Sequence, residues 1–456
     1  MYNRHRICYN IDRTISGSLQ MIYYGGSSMK RKIRVGIFGV GFRGNSVGRG
    51  GSLIGCVEKS GAEVVAICDN KELHLRYCKE KCFKNREVGM YTDFDSFIKH
   101  DMDAVMLCNY FAEHVPFAIA AMRAGKHVLC ETTSNITLAD GVALCRVKEE
   151  TGMTFGLLEN YPFFKSNQEM ERLYKGGTLG DIVYAEGEYV HPLSRREANR
   201  LSPGRNHWRN WAPRTYYLTH SLAPLMQMTD AMPTRVTAMA SFKPETVRGT
   251  SRQVADMVSV LLLQTDKNAV FRVTGCAGFA QHGNYYRLCG TKGSVESNRQ
   301  NDRVVLTYNS WEIPDGAEEH SAYDAQWTDP ELGELAGGAG HGGGDFFAIY
   351  HFIKALENRT EPYWNVYRAT AMASCAILAH RSILNGNIGY DIPDFRREED
   401  RLKYENDRTS PFPDAQGHVN FPVSSQPYKP TDADYEIAMQ DWIETGVWID
   451  EQKGET

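Results

Sequence analysis

No apolar run in this 456-residue chain approaches the ~20 residues that a membrane-spanning helix needs, so no membrane partner is expected. The opening stretch, MYNRHRICYNIDRTISGSLQMIYYGGSS, also lacks the apolar core of a secretory signal. Positive charge is not in excess. Lys and Arg number 51 against 56 Asp and Glu, the formal net charge is −5, and no basic stripe interleaved with aromatics is present. Nucleic acid is therefore not an expected partner. Metal-ligand spacing is missing too. Cys78 and Cys82 share a helical face, but no second Cys/His pair follows, and His191, His207, His220 and His341 are unpaired in spacing. No metal is expected. The 11 cysteines are an odd, scattered set. Cys68, Cys108, Cys130, Cys289 and Cys375 sit in apolar contexts, which suits buried thiols in a reducing cytoplasm rather than a disulfide framework. No internal repeat is visible.

What is present suits a folded globular protein of two domains: 42% of residues are hydrophobic and 23% charged. Residues 1–28 carry no period and read as a disordered leader, with Met29 opening the first strand. Short apolar runs then recur at Ile33–Phe38, Glu63–Asp69, Ala104–Cys108, His127–Cys130 and Thr154–Leu158, separated by helix-period segments such as Val115–Ala124 and Leu138–Glu150. Fully apolar strands alternating with amphipathic helices predict a parallel sheet covered on both faces, an α/β Rossmann domain over 29–158. From Glu159 the style changes. Ile182–His191, Arg235–Phe242, Ala255–Gln264, Ala269–Gly275 and Tyr285–Gly290 follow with few helices between the later ones. This predicts an α+β domain over 159–390 on a large, mostly antiparallel open sheet. Helices are expected over Asp345–Leu356 and from the N-cap Asn365 to near Gly386. Residues 391–456 read as an extended arm with one short helix near Asp434–Thr445.

The strongest local motif is Gly39-Val40-Gly41-Phe42-Arg43-Gly44, directly after the first strand. Gly39 permits the tight turn, Gly41 lets backbone approach a pyrophosphate, and Gly44 lets the following helix pack close. The helix start offers N–H groups and a positive dipole end to phosphate. Asp69 ends the next strand, where a carboxylate binds ribose hydroxyls and repels a 2′-phosphate. NAD is favoured over NADP. Gly48, Gly50, Gly51 and Gly55 are expected to disturb the helix that follows.

The order GxGxxG, then CNYFAEH (108–114), then AGKHVLCETT (124–133), then a sheet-rich half resembles the glucose–fructose oxidoreductase / inositol dehydrogenase family over residues 30–395. The resemblance implies that the Cys108–His114 segment borders the nicotinamide. It thus assigns Asn109, His114, Glu131 and Asn160, together with Phe42 and Arg43 of the glycine loop, to the cofactor. The family's Glu-Lys-Pro reads Glu131-Thr132-Thr133 here, and the absent lysine argues against a plain sugar dehydrogenase that relies on it. Later motifs resemble one branch, the NAD-dependent α-N-acetylgalactosaminidase-like glycosidases: Leu158-Glu159-Asn160, Tyr189-Val190-His191, Tyr217-Leu218-Thr219-His220 and the loop Gly340–Asp345 (GHGGGD). That likeness implies Glu159, Tyr189, Tyr217 and His220 as the catalytic set around a sugar, with His191, His341 and Asp345 on the substrate side.

Taken singly, these residues have ordinary alternatives. Tyr189 and His191 share a strand face. Tyr217 and His220 would share a helix face, Glu159 could start a helix, and the glycines around His341 would serve a surface loop. Trp208 and Trp211, beside Arg205, Arg209 and Arg214, suit either sugar stacking or core packing. Their joint order favours an enzyme that holds NAD and cleaves a glycoside by transient oxidation, elimination, hydration and re-reduction. The rival readings are a sugar or inositol dehydrogenase with net NADH formation and a non-catalytic NAD-bound sensor. A homo-oligomer is expected, because the second sheet has a face its own helices do not cover.

Overall fold

A computed structural model describes residues 31–45, 52–84, 86–202, 204–205, 207–244, 253–279, 281–299, 301, 303–414 and 416–445. The chain divides into Met1–Lys32 and Ile33–Thr456, and every strand and helix described belongs to the second unit. The leader 1–28 and Gly48, Gly50 and Gly51 lie outside the described residues.

Six strands form a parallel sheet: β1 (Arg34–Phe38), β2 (Glu63–Cys68), β3 (Gly89–Tyr91), β4 (Ala104–Leu107), β5 (His127–Glu131) and β6 (Phe155–Leu158), in the order β3-β2-β1-β4-β5-β6. β4 and β6 are buried at every residue, the signature of strands covered on both faces. Helices His114–Arg123 and Leu138–Thr151 cover one face with Val115, Ala118, Met122, Val142 and Cys145. The other face is closed by Leu53–Lys59 and by Gly344–Asn358, a helix from late in the chain that contributes Phe346, Ile349, Phe352 and Ile353. After the glycine loop the described residues form a helical turn, Phe42–Asn45, and the helix Leu53–Lys59. Its N-cap Ser52 Oγ accepts from Gly55 N at 3.0 Å.

The second sheet has nine strands: β7 (Ile182–Val190), β8 (Pro233–Ser241), β9 (Val258–Thr265), β10 (Val270–Ala277), β11 (Gly283–Gly290), β12 (Gly293–Ser297), β13 (Val304–Tyr308), β14 (His320–Tyr323) and β15 (Tyr390–Asp391). Its order is β14-β13-β12-β11-β7-β10-β9-β8-β15. Only β7 and β10 pair in parallel, so the sheet is mostly antiparallel. Its alternation is clean in β9, where Leu261 and Leu263 point inward and Val260 and Leu262 outward. The inner face carries helix Thr219–Thr229, whose residues are all buried. That helix lies flush on β7 because Gly187 has no side chain; a Cβ there would overlap the Ser221 carbonyl oxygen. This close approach brings His220, on the helix, to Tyr189, on the strand.

The late helices run Gly344–Asn358 and Val366–Leu384, the second capped by Asn365, whose Oδ1 accepts from Tyr367 N and Arg368 N. The C-terminal arm contains two helices, Glu398–Tyr404 and Asp432–Thr445. The first was not expected from sequence, because EEDRLKY is too polar to show an apolar period.

Candidate active site

The dinucleotide loop forms where β1 ends. Gly39 has φ +89°, and its N–H donates to Cys68 O at 2.8 Å. A Cβ on Gly44 would overlap Gly39 O, so the turn closes only with glycine there. Asp69 lies at the end of β2 with its side chain largely buried. Its Oδ1 accepts from Lys71 N at 3.0 Å and lies 3.0 Å from His74 Nδ1. His74 was not anticipated; its ring borders Gly41. Across the loop, after β4, the Asn109 amide is buried with neither Nδ2 nor Oδ1 hydrogen-bonded. A glycine cradle, a carboxylate at the end of β2 and an unsatisfied buried amide beside them fit a dinucleotide. Phe42 begins the helical turn after the loop; its side chain lies outside the described residues.

Arg43, assigned by resemblance to the cofactor, is drawn into protein contacts. Its Nε donates to Glu131 Oε1, and its two terminal nitrogens donate to Asp345 at 2.8 and 2.9 Å. Burial opposes the charge, but Glu131 and Asp345 outweigh it and hold the guanidinium well above its ordinary value. Asp345 is likewise held well below the usual carboxylate range: burial pushes it up, and Arg43 and His341 more than reverse that. Asn160 Nδ2 donates to Asp345 at 2.8 Å and His341 Nδ1 lies 3.1 Å away, so protein groups take both carboxylate oxygens. His114 is buried and pins two loops. Its Nδ1–H donates to Thr133 O at 2.7 Å, and Nε2 lies 3.3 Å from Asn109 O. Burial lowers its pKa, which favours the neutral ring with one N–H.

The second cluster lies at the carboxyl end of β6. Glu159 is fully buried, and its Oε1 accepts from His220 Nδ1 at 2.9 Å and from Tyr161 N at 3.3 Å; Oε2 is unpartnered. Among the described residues the hydrogen bond of the His220 ring is made through Nδ1. The ring is framed by aromatics: Tyr161 stacks on it at 4.1 Å, while Tyr189 and Tyr217 stand edge-on at 5.0 and 5.2 Å. His341 lies 5.9 Å from Tyr161. Tyr217 ends the 3-10 turn Arg214–Tyr217 and His220 sits in the next helix, so a turn, not one helix face, brings them together. The Tyr286 hydroxyl donates to His220 O at 2.5 Å, which fixes the helix start.

Trp208 extends this frame, parallel to Tyr217 at 6.1 Å and stacked on Phe111 at 4.6 Å. His191 lies 5.8 Å from Tyr189 and 4.6 Å from His282; burial, and then His282, push its pKa down to about 4. Trp211 is not part of the frame. Its indole N–H donates to Arg205 O, and it lines a shallow groove with residues 419–423. Phe111 and His282 were not anticipated, and the sequence assigns no definite role to Tyr161 in the aromatic stretch Tyr161-Pro162-Phe163-Phe164. The available signals were the position of Tyr161 directly after Glu159-Asn160 and of Phe111 inside CNYFAEH.

The family model described as oxidoreductase family, NAD-binding Rossmann fold matches residues 33–158, and that described as glycosyl hydrolase 109, C-terminal domain, matches residues 167–401. A glycosyl hydrolase family 109 protein of Stenotrophomonas maltophilia is 24% identical over 80% of this chain and 89% of its own length. An alpha-N-acetylgalactosaminidase of Shewanella oneidensis is 24% identical over 80% of this chain and 85% of its own. Among solved structures, levoglucosan dehydrogenase in complex with NADH and L-sorbose has a TM-score of 0.66 at 18% identity, over 80% of this chain and all of that one.

Proposed function

The chain belongs to the glycosyl hydrolase 109 family, an enzyme family here joined to an NAD-binding Rossmann fold, and from that premise we propose that it cleaves a sugar glycoside by transient oxidation on NAD. The observation that carries this reading is the Glu159–His220 pair inside the tyrosine frame, at the carboxyl edge of the Rossmann sheet where such sheets bind ligands. NAD, when bound, supplies a hydride acceptor that returns the hydride at the end of the cycle. Gly39, Gly41, Gly44, Asp69 and Asn109 would hold it, with Arg43, Glu131, His114 and Asn160 fixing the loops around it. Glu159 takes the Nδ1–H of His220 and so presents Nε2 to the sugar hydroxyl that must lose its proton. The resulting ketone acidifies the adjacent C–H. The cluster of His220, Tyr189 and Tyr217 removes that proton as the glycosidic group departs with the proton first taken from the hydroxyl; water then adds across the new C=C bond, and the proton held by the cluster returns to the ketone oxygen with the hydride. This route does not need the paired carboxylates of ordinary glycosidases. Trp208, His191 and His341 line the sugar side.

The test is an aryl glycoside panel, opened with an aryl α-N-acetylgalactosaminide because a 24% identical relative bears that activity in its name. Phenol release is followed together with NADH absorbance. The expected outcome is phenol release without net NADH. Stoichiometric NADH from free sugars with no cleavage of any glycoside would move the protein to the dehydrogenase reading.

We further propose that two copies pair through the outer face of the nine-stranded sheet. Met239, Val260, Leu262 and Val270, which share one face across β8, β9 and β10, are exposed there at 36–66%. Light scattering should give at least twice the chain mass, and Met239→Lys with Leu262→Lys should return it to one chain. A wild-type protein of single-chain mass at micromolar concentration would contradict this.

A further inference from the structure

We propose that the C-terminal helix Asp432–Thr445 is a clamp that positions Trp208 in the sugar-facing frame, an inference that rests on the reading of that frame as a glycoside site. The helix lies beyond residue 401, where the match to the family's C-terminal domain ends. It packs on the short helix Arg195–Arg200, and its Ala438 and Trp442 are buried. That helix belongs to the long connection from β7 to helix Thr219–Thr229, which carries His207, Trp208, Arg209 and Trp211. Connections longer than about 12–15 residues with little regular structure need outside support to hold one shape.

The support is specific. Asp441, only 4% exposed, accepts from Arg195 Nε at 2.8 Å, from Arg195 Nη2 at 3.2 Å and from Asn199 Nδ2 at 2.9 Å. Burial works against its charge, but Asn199 and Arg195 hold the carboxyl below its ordinary range. Arg196 adds an ion pair with Glu444. Seven residues before Trp442 the same helix offers Tyr435, whose ring lies 4.0 Å from the Arg205 guanidinium, and Asp432 Oδ1, which accepts from Arg205 Nη2 at 3.1 Å. Arg205 passes the restraint on: its carbonyl accepts the Trp211 indole N–H at 3.2 Å, while Asn210 Nδ2 donates to Gly204 O at 3.1 Å and Asn210 O accepts from Val254 N at 2.9 Å. Trp208 heads the 3-10 turn Trp208–Asn210 enclosed by these bonds. Its stacking on Phe111 and alignment with Tyr217 therefore depend on a turn held from both sides, one of them the C-terminal helix.

Asp441 and Arg205 act through Trp208 and are positioning residues. A stacking platform binds ground and transition states alike, so loosening it raises KM and leaves kcat nearly unchanged. The experiment compares the full-length protein with Asp441→Ala, the milder Arg205→Ala, Trp208→Ala and the Asp441→Ala/Trp208→Ala double variant. Two readouts are taken: hydrogen exchange across residues 207–211 and steady-state kinetics on an aryl α-N-acetylgalactosaminide. Asp441→Ala and Arg205→Ala are each expected to speed exchange across 207–211. Each should raise KM about tenfold with kcat within about twofold, the scale of one aromatic contact. In the double variant, Asp441→Ala should add little to the KM of Trp208→Ala. Unchanged exchange at 207–211 in both Asp441→Ala and Arg205→Ala would overturn the clamp, as would equal KM increments with and without Trp208. The exchange readout needs no substrate. If no glycoside is cleaved by the wild-type protein, the functional reading fails while exchange still decides the clamp.

Discussion

Arg43 and Asp345, 302 positions apart, form a two-point ion pair at 2.8 and 2.9 Å that ties the dinucleotide loop to the glycine-rich loop beside His341. The same carboxylate accepts from Asn160, so one buried group joins the cofactor side to the residue next to Glu159.

Breaking that pair leaves Arg43, whose side chain is 26% exposed, beside the carboxylate of Glu131. Removal of one partner of a fully buried pair costs about 3–5 kcal/mol; because Arg43 stays partly in water and beside Glu131, Asp345→Asn should lower unfolding free energy by about 1–3 kcal/mol at pH 7. The pKa of Asp345 is depressed in the folded protein. Its contribution is therefore complete above the unfolded value of ~3.9 and lost as pH falls toward the folded one. The gap between wild type and variant should be level from pH 6 upward and close in acid. Denaturant unfolding checks both points, and a difference under about 1 kcal/mol at pH 7 would show the pair to be near break-even.

Asp69 stands where an adenosine ribose would be held, and its Oδ1 is oriented by Lys71 N and His74. Asp69→Ala should weaken NAD binding about tenfold, the loss of one or two hydrogen bonds to a charged group, and should narrow discrimination against NADP. Calorimetry with both nucleotides tests this. Equal affinity of the unmodified protein for NAD and NADP would remove the argument.

The residues that sequence identified most directly were those whose role depends on neighbours in the chain. Gly39, Gly41, Gly44 and Asp69 belong to one strand–helix–strand unit, and their spacing alone reports the turn chemistry. β9 was legible as a strand, but its run Val260–Leu263 is continuously apolar, so the inward face of Leu261 and Leu263 emerges only in the structure. The strands β12, β13 and β14, of five, five and four residues, were missed because so few positions carry no period to detect. The roles of Tyr161 and Phe111 escaped for a different reason. Their contacts with His220 and Trp208 exist only once helix Thr219–Thr229 seats on Gly187 and the loop after β7 folds back. Arg43 was placed in the right loop, but nothing local tells that it faces carboxylates from β5 and from residue 345. In the polar, proline-rich arm the ion pairs that tie it to the body, such as Arg195–Asp441 and Arg381–Asp407, join residues too far apart in the chain to be read from it.

His380 offers a stability signature in mild acid. It is 1% exposed in helix Val366–Leu384; Nε2–H donates to Pro422 O at 2.7 Å and Nδ1 has no partner. Burial pushes its pKa down to about 4, because a second N–H would enter a site without an acceptor. The folded value lies below the unfolded ~6.5, so its contribution is complete above pH ~6.5 and is lost as pH falls toward 4. At about 1.4 kcal/mol per unit this amounts to roughly 3 kcal/mol. His380→Gln keeps a donor for Pro422 and does not titrate. Urea unfolding at pH 7, 5.5 and 4.5 should show a shallower decline for the variant; parallel curves would assign the acid sensitivity elsewhere.

The Glu159–His220 pair separates catalysis from cofactor binding most directly. Glu159 Oε1 accepts the Nδ1–H of His220, which leaves Nε2 as the basic nitrogen, and Tyr161 stacked on the ring holds its plane. His220→Ala should reduce glycoside cleavage by ~10²–10⁴-fold, the usual range for a positioned acid–base group. Glu159→Gln removes the carboxylate that selects the tautomer and should fall in the same range, and Tyr161→Ala should cost less, since it orients without exchanging a proton. Because the first two residues act as one unit, Glu159→Gln added to His220→Ala should cost little more. None of these side chains touches the glycine loop, so NAD affinity should stay within about twofold of wild type in calorimetry. In deuterated water the wild-type product should carry deuterium at the carbon next to the oxidised one, and residual His220→Ala turnover should show the same label. Label-free cleavage by the wild-type protein would mean that no C–H adjacent to a ketone is broken, and this pair would then have to serve a direct displacement instead.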